Sequence, residues 1–425
     1  MSRPAKSAWH LANLSRARQI VTLVTLGLLT GLGPFTIDLY LPAFPQLRED
    51  FGVADGQVQL TLAATTLGFA LGQLVVGPLS DRIGRRIPLL AANSVHVLAS
   101  LGVAMAPDIE VLSLLRILQG LGAAGGAVVA MAMVRDLFSG DRLIVALSRL
   151  MLVQGAAPVV APIVGSLLLS VVEWRGIFVV LAGYGLLMIV LQALILRETH
   201  PRGRGFGTAE PFFTRYRRVL SDRVYVGILL LAFATWGGLF SYLASASLLL
   251  QGVYGFTELQ FGAVFAVCAI GVVSGSQVSP LISTRHGPPV TLMLGTAYLL
   301  LMGILMLSVA LLDAHVVVII VALFLYEFGV GLVNPAVQAI GLGRHGRDAG
   351  TAASLIGATG MLGAALVGPV IGMFPVTSAV PMASAVAISA VVGVIVLWSV
   401  VRPRSIAPLP TGDARTDELP VQGRG

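Results

Sequence analysis

Long apolar runs recur from near residue 20 to near residue 400, and they constrain the fold more than any other feature of the sequence. Runs of ~18 or more apolar residues are typical of helices that span a membrane. Hydrocarbon offers no hydrogen-bond partners, so the backbone must satisfy its N–H and C=O groups within protein. A helix does so within one segment. The sequence therefore predicts an all-α membrane protein.

Twelve such runs can be separated. We expect spanning helices at 19–43, 58–79, 87–106, 110–134, 143–171, 175–196, 224–250, 259–282, 289–312, 315–341, 350–374 and 378–401. The composition agrees, since 56% of the residues are hydrophobic and only 11% are charged, unlike a soluble domain. The first run is too long for a cleaved signal peptide and contains Asp38.

The distribution of basic residues predicts the orientation. Of the 27 basic residues, all are arginine except Lys6. In the predicted topology most of them lie on the same side of the membrane as the N-terminus. Basic loops face the cytoplasm in membrane proteins, so both termini are predicted to be cytoplasmic. The net charge of +7 then reflects topology, and we expect no nucleic-acid partner. The single cysteine, Cys268, lies in a predicted span, which excludes an intrachain disulfide.

The sequence divides into two similar parts. We expect a cytoplasmic N-terminus at 1–18, a six-helix bundle at 19–196, a cytoplasmic linker at 197–223, a second six-helix bundle at 224–401 and a disordered cytoplasmic tail at 402–425. Short echoes keep one order in the two bundles: "GPLSDRIGRR" with "SPLISTRHGPP", "APIVG" with "GPVIG", and "QGLG" with "FGVG". They predict two repeats related by an axis along the membrane normal.

These motifs resemble the major facilitator superfamily over nearly the whole chain. The loop at 77–86 resembles its loop signature, and "LRILQGLGAAGGAVVAMAMVRD" at 115–136 resembles its fourth-span motif. "APVVAPIVGS" at 157–166 resembles the motif that marks antiporters, although Ala161 and Ser166 stand where glycine is usual.

The stretch "IDLYLPAFP" is the most specific of these resemblances. Together with "FALGQLVVGPLSDRIGRR" and "AGTAASLIGATG", it resembles the bicyclomycin and chloramphenicol resistance branch of bacterial drug:proton antiporters. The resemblance implies twelve helices in the major facilitator fold, efflux of small drugs and proton import as the driving force.

Acidic residues within the predicted spans are candidates for proton coupling. An ionised carboxylate near the bilayer centre costs about 2.5–3.5 kcal/mol, so such groups usually pair, titrate or face a cavity. We expect Asp38 to carry the proton and Arg116, at similar depth, to face it across the central cavity that the resemblance implies. Glu327 either carries a second proton or recognises substrate. The alternative for Asp38 is an acid at the wet mouth of the cavity that holds a helix end or pairs statically with Arg116, and the alternative for Glu327 is a protonated acid bonded to a neighbouring helix.

Aromatic and amide side chains in the spans are candidates for substrate contact, because they offer stacking and hydrogen bonds. They are Tyr40, Gln59, Gln73, Trp236, Phe240, Ser241, Tyr242 and Ser245. Ordinary helix packing is the alternative for all of them. His96 is expected to be a hydrogen-bonded core histidine.

Two further motifs are expected to serve the conformational change. In the resembled family, contacts of the loop after the second span hold the two halves closed on the inside. The corresponding residues here are Gly77, Asp81, Arg82, Gly84, Arg85 and Arg86, with Asp136 as a partner for Arg85. The antiporter motif supplies Gly155, Pro158, Pro162 and Gly165. Positive-inside charge and close helix packing are the simpler alternatives.

Other functional classes are less consistent with the sequence. A proton-coupled uptake symporter for a small neutral metabolite would use the same fold. A sensor or scaffold lacks a soluble domain, and an enzyme lacks a phosphate-binding loop, a metal cluster and a nucleophile–base pair. We expect a monomer in the lipid bilayer with a small drug and protons as its partners, and no cofactor or metal.

Overall fold

The computed structural model describes residues 16–138, 140–199, 212–345 and 348–405, and the regular secondary structure of this part is helical. The α-helices are α1 (Arg16–Asp38), α2 (Phe44–Phe51), α3 (Asp55–Ile83), α4 (Arg86–Ala104), α5 (Ile109–Leu137), α6 (Gly140–Leu169), α7 (Trp174–Ile195), α8 (Phe212–Leu220), α9 (Arg223–Ser247), α10 (Glu258–His286), α11 (Pro288–Leu311), α12 (Val316–Gly343), α13 (Ala349–Ile371) and α14 (Val380–Val396). Helices α9 and α14 continue as π-helical turns at Leu248–Val253 and Leu397–Val401.

Twelve helical segments of the described part are long and apolar enough to cross a membrane. This confirms the predicted number of spans. The first segment includes α2, and the short helix α8 lies in the predicted linker between the sixth and seventh spans. The predicted N-terminus before residue 16, linker residues 200–211 and the tail after residue 405 lie outside the described residues.

The first span differs from the predicted continuous helix. Helix α1 ends at Asp38, and the chain passes through a 3-10 turn, Leu41–Ala43, into α2. In an α-helix the N–H of residue 42 would bond to the carbonyl of Asp38. Residue 42 is a proline and has no N–H. The helix therefore breaks at the acidic residue itself.

The two halves use the same helix pairs. Helix α5 packs on α3 and α4 as α12 packs on α10 and α11, and α4–α7 corresponds to α11–α14. A Cβ at Gly120 would lie 2.0 Å from the Thr65 carbonyl oxygen of α3, and one at Gly331 would lie 2.0 Å from the Val272 oxygen of α10. Gly120 thus corresponds to Gly331. The sequence echo instead pairs Gly120 with Gly329. Gly329 faces α11 and not α10, because it lies two residues from Gly331 and residues two apart point to nearly opposite sides of a helix.

The halves meet through α3 with α13 and through α6 with α10. We call the membrane face at which α1 begins the near face, and the opposite one the far face. At the far face, the backbone N–H of Val376 donates to Asp55 Oδ2 at 3.2 Å. The Gln251 side chain donates to the Pro42 carbonyl at 3.0 Å. These contacts hold the two halves together at the far face.

Candidate functional site

Asp38 lies at the break in the first span and is almost completely buried. Its side chain is 4% exposed, and the buried Oδ1 atom has no hydrogen-bond partner among the described residues. An unpartnered carboxyl oxygen away from water is costly. The position therefore favours a bound proton or a cation at this group.

The neighbours of Asp38 on α1 show which way it points. Thr36 Oγ1 lies 2.9 Å from His96 Nε2, and Tyr40 Oη lies 3.1 Å from Thr61 Oγ1, so both face the interior of the first half. Thr36 lies two residues before Asp38 in α1, a rotation of roughly 200° in a helix, whereas Tyr40 lies beyond the end of α1. The Asp38 side chain therefore points away from the side of α1 that carries Thr36. His96 is buried and hydrogen-bonded, consistent with a core histidine.

Arg116 is held by neutral groups. It is fully buried, and Nη1 donates to the Thr36 carbonyl at 3.0 Å and to Gln119 Oε1 at 2.6 Å. Its guanidinium lies 3.9 Å from the ring centroid of Tyr40. No ion pair joins Arg116 to Asp38 among the described residues. The expected arrangement, with these two groups facing each other, is not present, because the Thr36 carbonyl and the Tyr40 ring face Arg116 while the Asp38 side chain lies on the other side of α1.

Glu327 is the second acidic group buried within the membrane spans. It is 1% exposed on α12, and neither carboxyl oxygen has a hydrogen-bond partner in the described part of the chain. The Tyr242 hydroxyl of α9 lies beside the Cys268 thiol of α10, near enough to both carboxyls to interact electrostatically with Asp38 and Glu327. We call Asp38, Tyr242, Cys268 and Glu327 the acidic cluster.

The acidic cluster was only partly predictable. The sequence identifies Asp38 and Glu327 as isolated acids in apolar runs, and Tyr242 as one of several aromatic candidates. Cys268 carries no pattern that distinguishes it from a small core residue. Among the described residues, no three His, Cys, Asp or Glu side chains converge as metal ligands would.

Seven of the eight predicted substrate contacts lie outside the acidic cluster, and three of them belong to the first half. Tyr40 packs on Arg116 inside the first half. Gln59 and Gln73 of α3 lie against Gly372 and Gly357, at the contact with the end and the body of α13. Gln59 is fully buried with both amide atoms unpartnered.

The remaining predicted substrate contacts lie on α9, where Trp236 faces α13 and Tyr242 faces α10. Trp236 and Phe240 stack with their ring centroids 5.9 Å apart, and Trp236 lies against α13. Tyr242 stacks on Phe265 of α10 at 5.5 Å. Ser241 is satisfied by its own helix, donating to the Gly237 carbonyl at 2.8 Å. Ser245 has a buried, unpartnered Oγ.

At the near face, Arg85 joins the ends of three helices. Its Nε donates to Asp136 Oδ2 at 3.0 Å, and its Nη1 donates to Asp81 and to Ser80. Burial alone would lower the pKa of Arg85, but the hydrogen bond and charge of Asp136, with those of Asp81, raise it above its ordinary value. The structure therefore has the predicted Arg85–Asp136 pair.

The tight turn before Arg85 is closed by Glu198, a residue that the sequence did not indicate. Gly84 has φ +98°, a conformation that favours glycine. Glu198 accepts from the backbone N–H groups of Arg85 at 2.9 Å and Arg86 at 3.2 Å. Gly77 packs against Val128.

The partners that Asp81, Arg85 and Arg86 have in the structure belong to the first half. Arg86 donates to the Ala193 carbonyl, Arg82 is exposed, and the Asp81 side chain is 57% exposed. The latch between halves stays a prediction for a conformation closed at the near face.

The antiporter motif brings α6 against the end of α1. A Cβ at Gly165 would lie 2.0 Å from the Leu39 carbonyl oxygen, whereas one at Gly155 would meet nothing within 4 Å. Pro158 and Pro162 lie inside α6. Gly165 therefore permits the close approach next to Asp38.

A second charged group lies at the near face of the other half. Asp222 caps α9 through the N–H of Val224 and accepts from Arg344 Nε at 2.7 Å and Nη2 at 3.2 Å. His345 Nε2 lies 3.3 Å from the same carboxylate. Partial burial opposes ionisation, but the hydrogen bond and charge of Arg344 lower the pKa of Asp222.

Comparison with known proteins agrees with this architecture. The family model for the Major Facilitator Superfamily matches residues 26–368. The chain is 33% identical over 380 residues to the uncharacterized MFS-type transporter YdgK of Bacillus subtilis, covering 85% of this chain and 91% of that protein. It is 31% identical over 352 residues to a bicyclomycin resistance protein homolog of Haemophilus influenzae, covering 83% and 88%. It is 33% identical over 298 residues to a chloramphenicol resistance protein of Pseudomonas aeruginosa, covering 69% and 68%.

Among solved structures, the partially occluded inward open conformation of the xylose transporter XylE from E. coli matches with a TM-score of 0.72. The two share 14% identity over 90% of this chain and 97% of that one. A bacterial homolog of the lysosomal transporter Spinster, inward-facing and unoccupied, matches with a TM-score of 0.66 and 17% identity. The match covers 92% of this chain and 96% of that one. At these identities the likeness shows the fold.

Proposed function

Since this chain belongs to the major facilitator superfamily, we propose that it exports small drugs in exchange for protons. Membership in the family makes it a multi-pass inner-membrane transporter of small molecules. The drug class and the proton coupling are our proposal. It is supported by the relatives of Haemophilus influenzae and Pseudomonas aeruginosa, whose names refer to resistance to bicyclomycin and chloramphenicol.

The alternative is uptake of a small neutral metabolite with protons. A D-xylose-proton symporter shares the fold with a TM-score of 0.71 at 15% identity. Export is favoured because the relatives above 30% identity include resistance proteins, whereas the symporter shares the fold alone.

The observation that carries the proposal is the buried, unpartnered carboxyl of Asp38 between the halves. When the near face is open, Asp38 loses its proton and substrate binds. When the far face is open, a proton binds to Asp38 and substrate leaves. We take the near face as cytoplasmic because the arginine-rich connections lie there. The two six-helix bundles move as domains about the site and are joined by the linker at 197–223. The protein acts as a monomer and does not bind nucleic acid.

Replacing Asp38 tests the proposal. Asp38→Asn keeps the size of the side chain and removes its ionisable proton, so pH-driven efflux should fall at least about tenfold, equivalent to ~1.4 kcal/mol. The measurement is drug efflux and resistance in cells without their own pumps, at equal amounts of membrane protein. Glu110→Gln is the control, because that acid is exposed in the first turn of α5. Normal efflux by the Asn variant would falsify the proposal.

The energy source is tested in the same cells with a protonophore. One pH unit supplies about 1.4 kcal/mol per proton, and 100 mV supplies about 2.3 kcal/mol per charge moved. Collapse of the gradient should abolish protection. Protection that survives it would contradict proton coupling, and sensitisation to the drug would indicate uptake.

A further inference from the structure

Beyond Asp38, toward the far face, both halves contribute to one apolar layer. The first half supplies the 3-10 turn Leu41–Ala43. The second half supplies the leucines at the start of the π-helical turn that follows α9, which are Leu248, Leu249 and Leu250. All of these residues are buried. We call these two segments the far plug.

We propose that Gln251 keeps the far plug closed and thereby prevents protons from leaking between the far side and Asp38. It is a positioning residue, because it acts on the backbone that follows the acid and not on the proton itself. The inference rests on the proposed function in taking Asp38 as the proton-carrying group.

The position of the far plug is the first support. The turn Leu41–Ala43 begins three residues after Asp38 and contacts α9 and α10, and the π-helical turn contacts α2. An ion that enters an apolar layer loses its hydration at a large cost in free energy. The closed far plug therefore separates the Asp38 carboxyl from the solution at the far face.

The hydrogen bonds of Gln251 are the second support. This residue follows Leu250 directly, and its Nε2 donates to the Pro42 carbonyl at 3.0 Å and to Ser247 Oγ at 2.8 Å. The amide group has two N–H donors, and both are used, so its direction is fixed. Pro42 belongs to the first half and Gln251 to the second. The bond therefore fastens the backbone just after Asp38 to the opposite half.

The backbone around this bond is irregular on both sides. Within the π-helical turn, the Tyr254 N–H donates to the Leu249 carbonyl at 3.0 Å, and π-helical turns occur frequently at functional sites. On the other side, a Cβ at Gly165 would lie 3.4 Å from Pro42 Cγ. The turn after Asp38 is thus packed against α6 of its own half and hydrogen-bonded to the second half.

The strength of the bond suits a contact that opens once in each cycle. Loss of a single neutral hydrogen bond changes a population by about twofold to tenfold. Gln251 therefore biases the far plug toward its closed form, and the two halves can still separate there when substrate leaves.

The consequence for coupling concerns access to Asp38. Exchange of drug for protons requires that the carboxyl reach one face at a time. If the far plug opened while the near face was open, a proton could bind to Asp38 from the far side and leave to the near side without any drug. Loss of the Gln251 bond should therefore cause a proton leak that depends on Asp38.

The test measures this leak in vesicles that contain the purified full-length protein and a pH-sensitive dye. A pH gradient is imposed without drug, and valinomycin with K⁺ compensates the charge. Gln251→Met keeps the length of the side chain and removes both N–H donors, so the protein-dependent leak rate should rise about twofold to tenfold above wild type. The matched control is Gln277→Met, the same change at an exposed glutamine in the near-face half of α10, which should leak as wild type does.

A double variant separates this role from a general packing defect. Asp38→Asn combined with Gln251→Met should return the leak to the wild-type rate, because the asparagine cannot carry the proton. A loosened helix contact would instead leak with or without the acid. If size-exclusion profiles show that Gln251→Met does not fold, Gln251→Asn carries the same expectation, since its shorter side chain draws the amide away from Pro42.

Two outcomes would overturn the inference: a Gln251 variant that leaks no more than wild type, and a leak that persists in the double variant. Failure of the proposed function is a separate result. In that case wild-type protein shows no proton-driven drug efflux, although the leak of Gln251→Met still depends on Asp38.

Discussion

At the scale of single residues, the buried arginine and the two buried carboxyls differ in their contacts and in their ability to change charge. Arg116 is buried, and its Nη1 donates to a carbonyl and an amide oxygen while its guanidinium packs on an aromatic face; its Nε and Nη2 have no partner among the described residues. Asp38 and Glu327 are buried to a similar degree with carboxyl oxygens unpartnered. Arginine keeps its proton in proteins, so Arg116 is a permanent structural charge. The two carboxyls can change charge state and are therefore the groups able to take part in a transport cycle.

Outside the membrane spans, Asp222 provides a test of charge pairing. Asp222→Asn keeps the cap on α9, because asparagine is also a good N-cap, and removes the charge facing Arg344. We expect destabilisation of about 0.5–1 kcal/mol, since the pair is partly exposed. The measurement is thermal unfolding of the purified protein with Arg215→Gln, another near-face change, as the control.

The pH dependence of this effect follows from the lowered pKa of Asp222. A depressed pKa stabilises the folded state above the unfolded value, near 3.8, and the stabilisation is lost as pH falls through the lower folded value. The difference between variant and wild type should be equal at pH 7 and pH 5 and shrink below pH 3.8. A difference that disappears already at pH 5 would show that the charge of Asp222 is not its source.

At the scale of helices, the environment of Asp38 depends on two local features. Pro42 removes the hydrogen bond that would continue α1 past Asp38, and Gly165 lets α6 approach the carbonyl of Leu39. Together they hold a bent segment of backbone in the membrane, where irregular backbone is tolerated when protein covers it. The packing of α6 therefore supports the position of the proton-carrying group that we propose.

Two glycine variants separate this packing from helix propensity. Gly165→Ala would place a methyl group 2.0 Å from the Leu39 oxygen, so α1 and α6 must separate. We expect destabilisation of about 1–3 kcal/mol, as for overpacked cores, together with slower efflux. Gly155→Ala, in the same helix, meets no atom within 4 Å. It should be neutral or slightly stabilising, because alanine favours helix by up to ~1 kcal/mol.

Thermal unfolding and efflux rates of the two variants provide the measurement. Equal effects of the two substitutions would show that the close contact at Gly165 does not matter for function.

At the scale of the whole molecule, hydrogen bonds join the two halves at the far face. At the near face, Arg85 and Arg344 form ion pairs only with carboxylates of their own half among the described residues. Asp55 bonds to the backbone of Val376, and Gln251 bonds to that of Pro42. Arg85 and Arg344 each pair with carboxylates of their own half. For substrate to leave at the far face, the first set of contacts must separate.

Cross-linking tests this requirement. In a Cys268→Ala background, which lacks cysteine, Asp55→Cys and Val376→Cys place thiols on opposite halves at the far face. We expect a short cross-linker to join them and to stop efflux, since the far face can no longer open. Cleavage of the linker should restore transport, and each single-cysteine variant should be unaffected. Normal efflux by the cross-linked protein would show that transport does not need separation at this point.

The sequence by itself determined the number and type of the membrane helices, because hydrophobic length and backbone satisfaction are properties of one segment. The nearness of Arg85 to Asp136 followed from a recognisable motif, whereas the break at Pro42 was not predicted, although the proline that causes it is visible in the sequence. Only the tertiary structure decided which partner each buried polar group has. Arg116 turns from Asp38 to Tyr40, the Tyr242 hydroxyl lies near two carboxyls, and Gly120 corresponds to Gly331 and not to Gly329. These relations depend on how far each helix is rotated about its axis. Neighbouring helices set that rotation, and in a run that is apolar on every side the sequence carries little record of it.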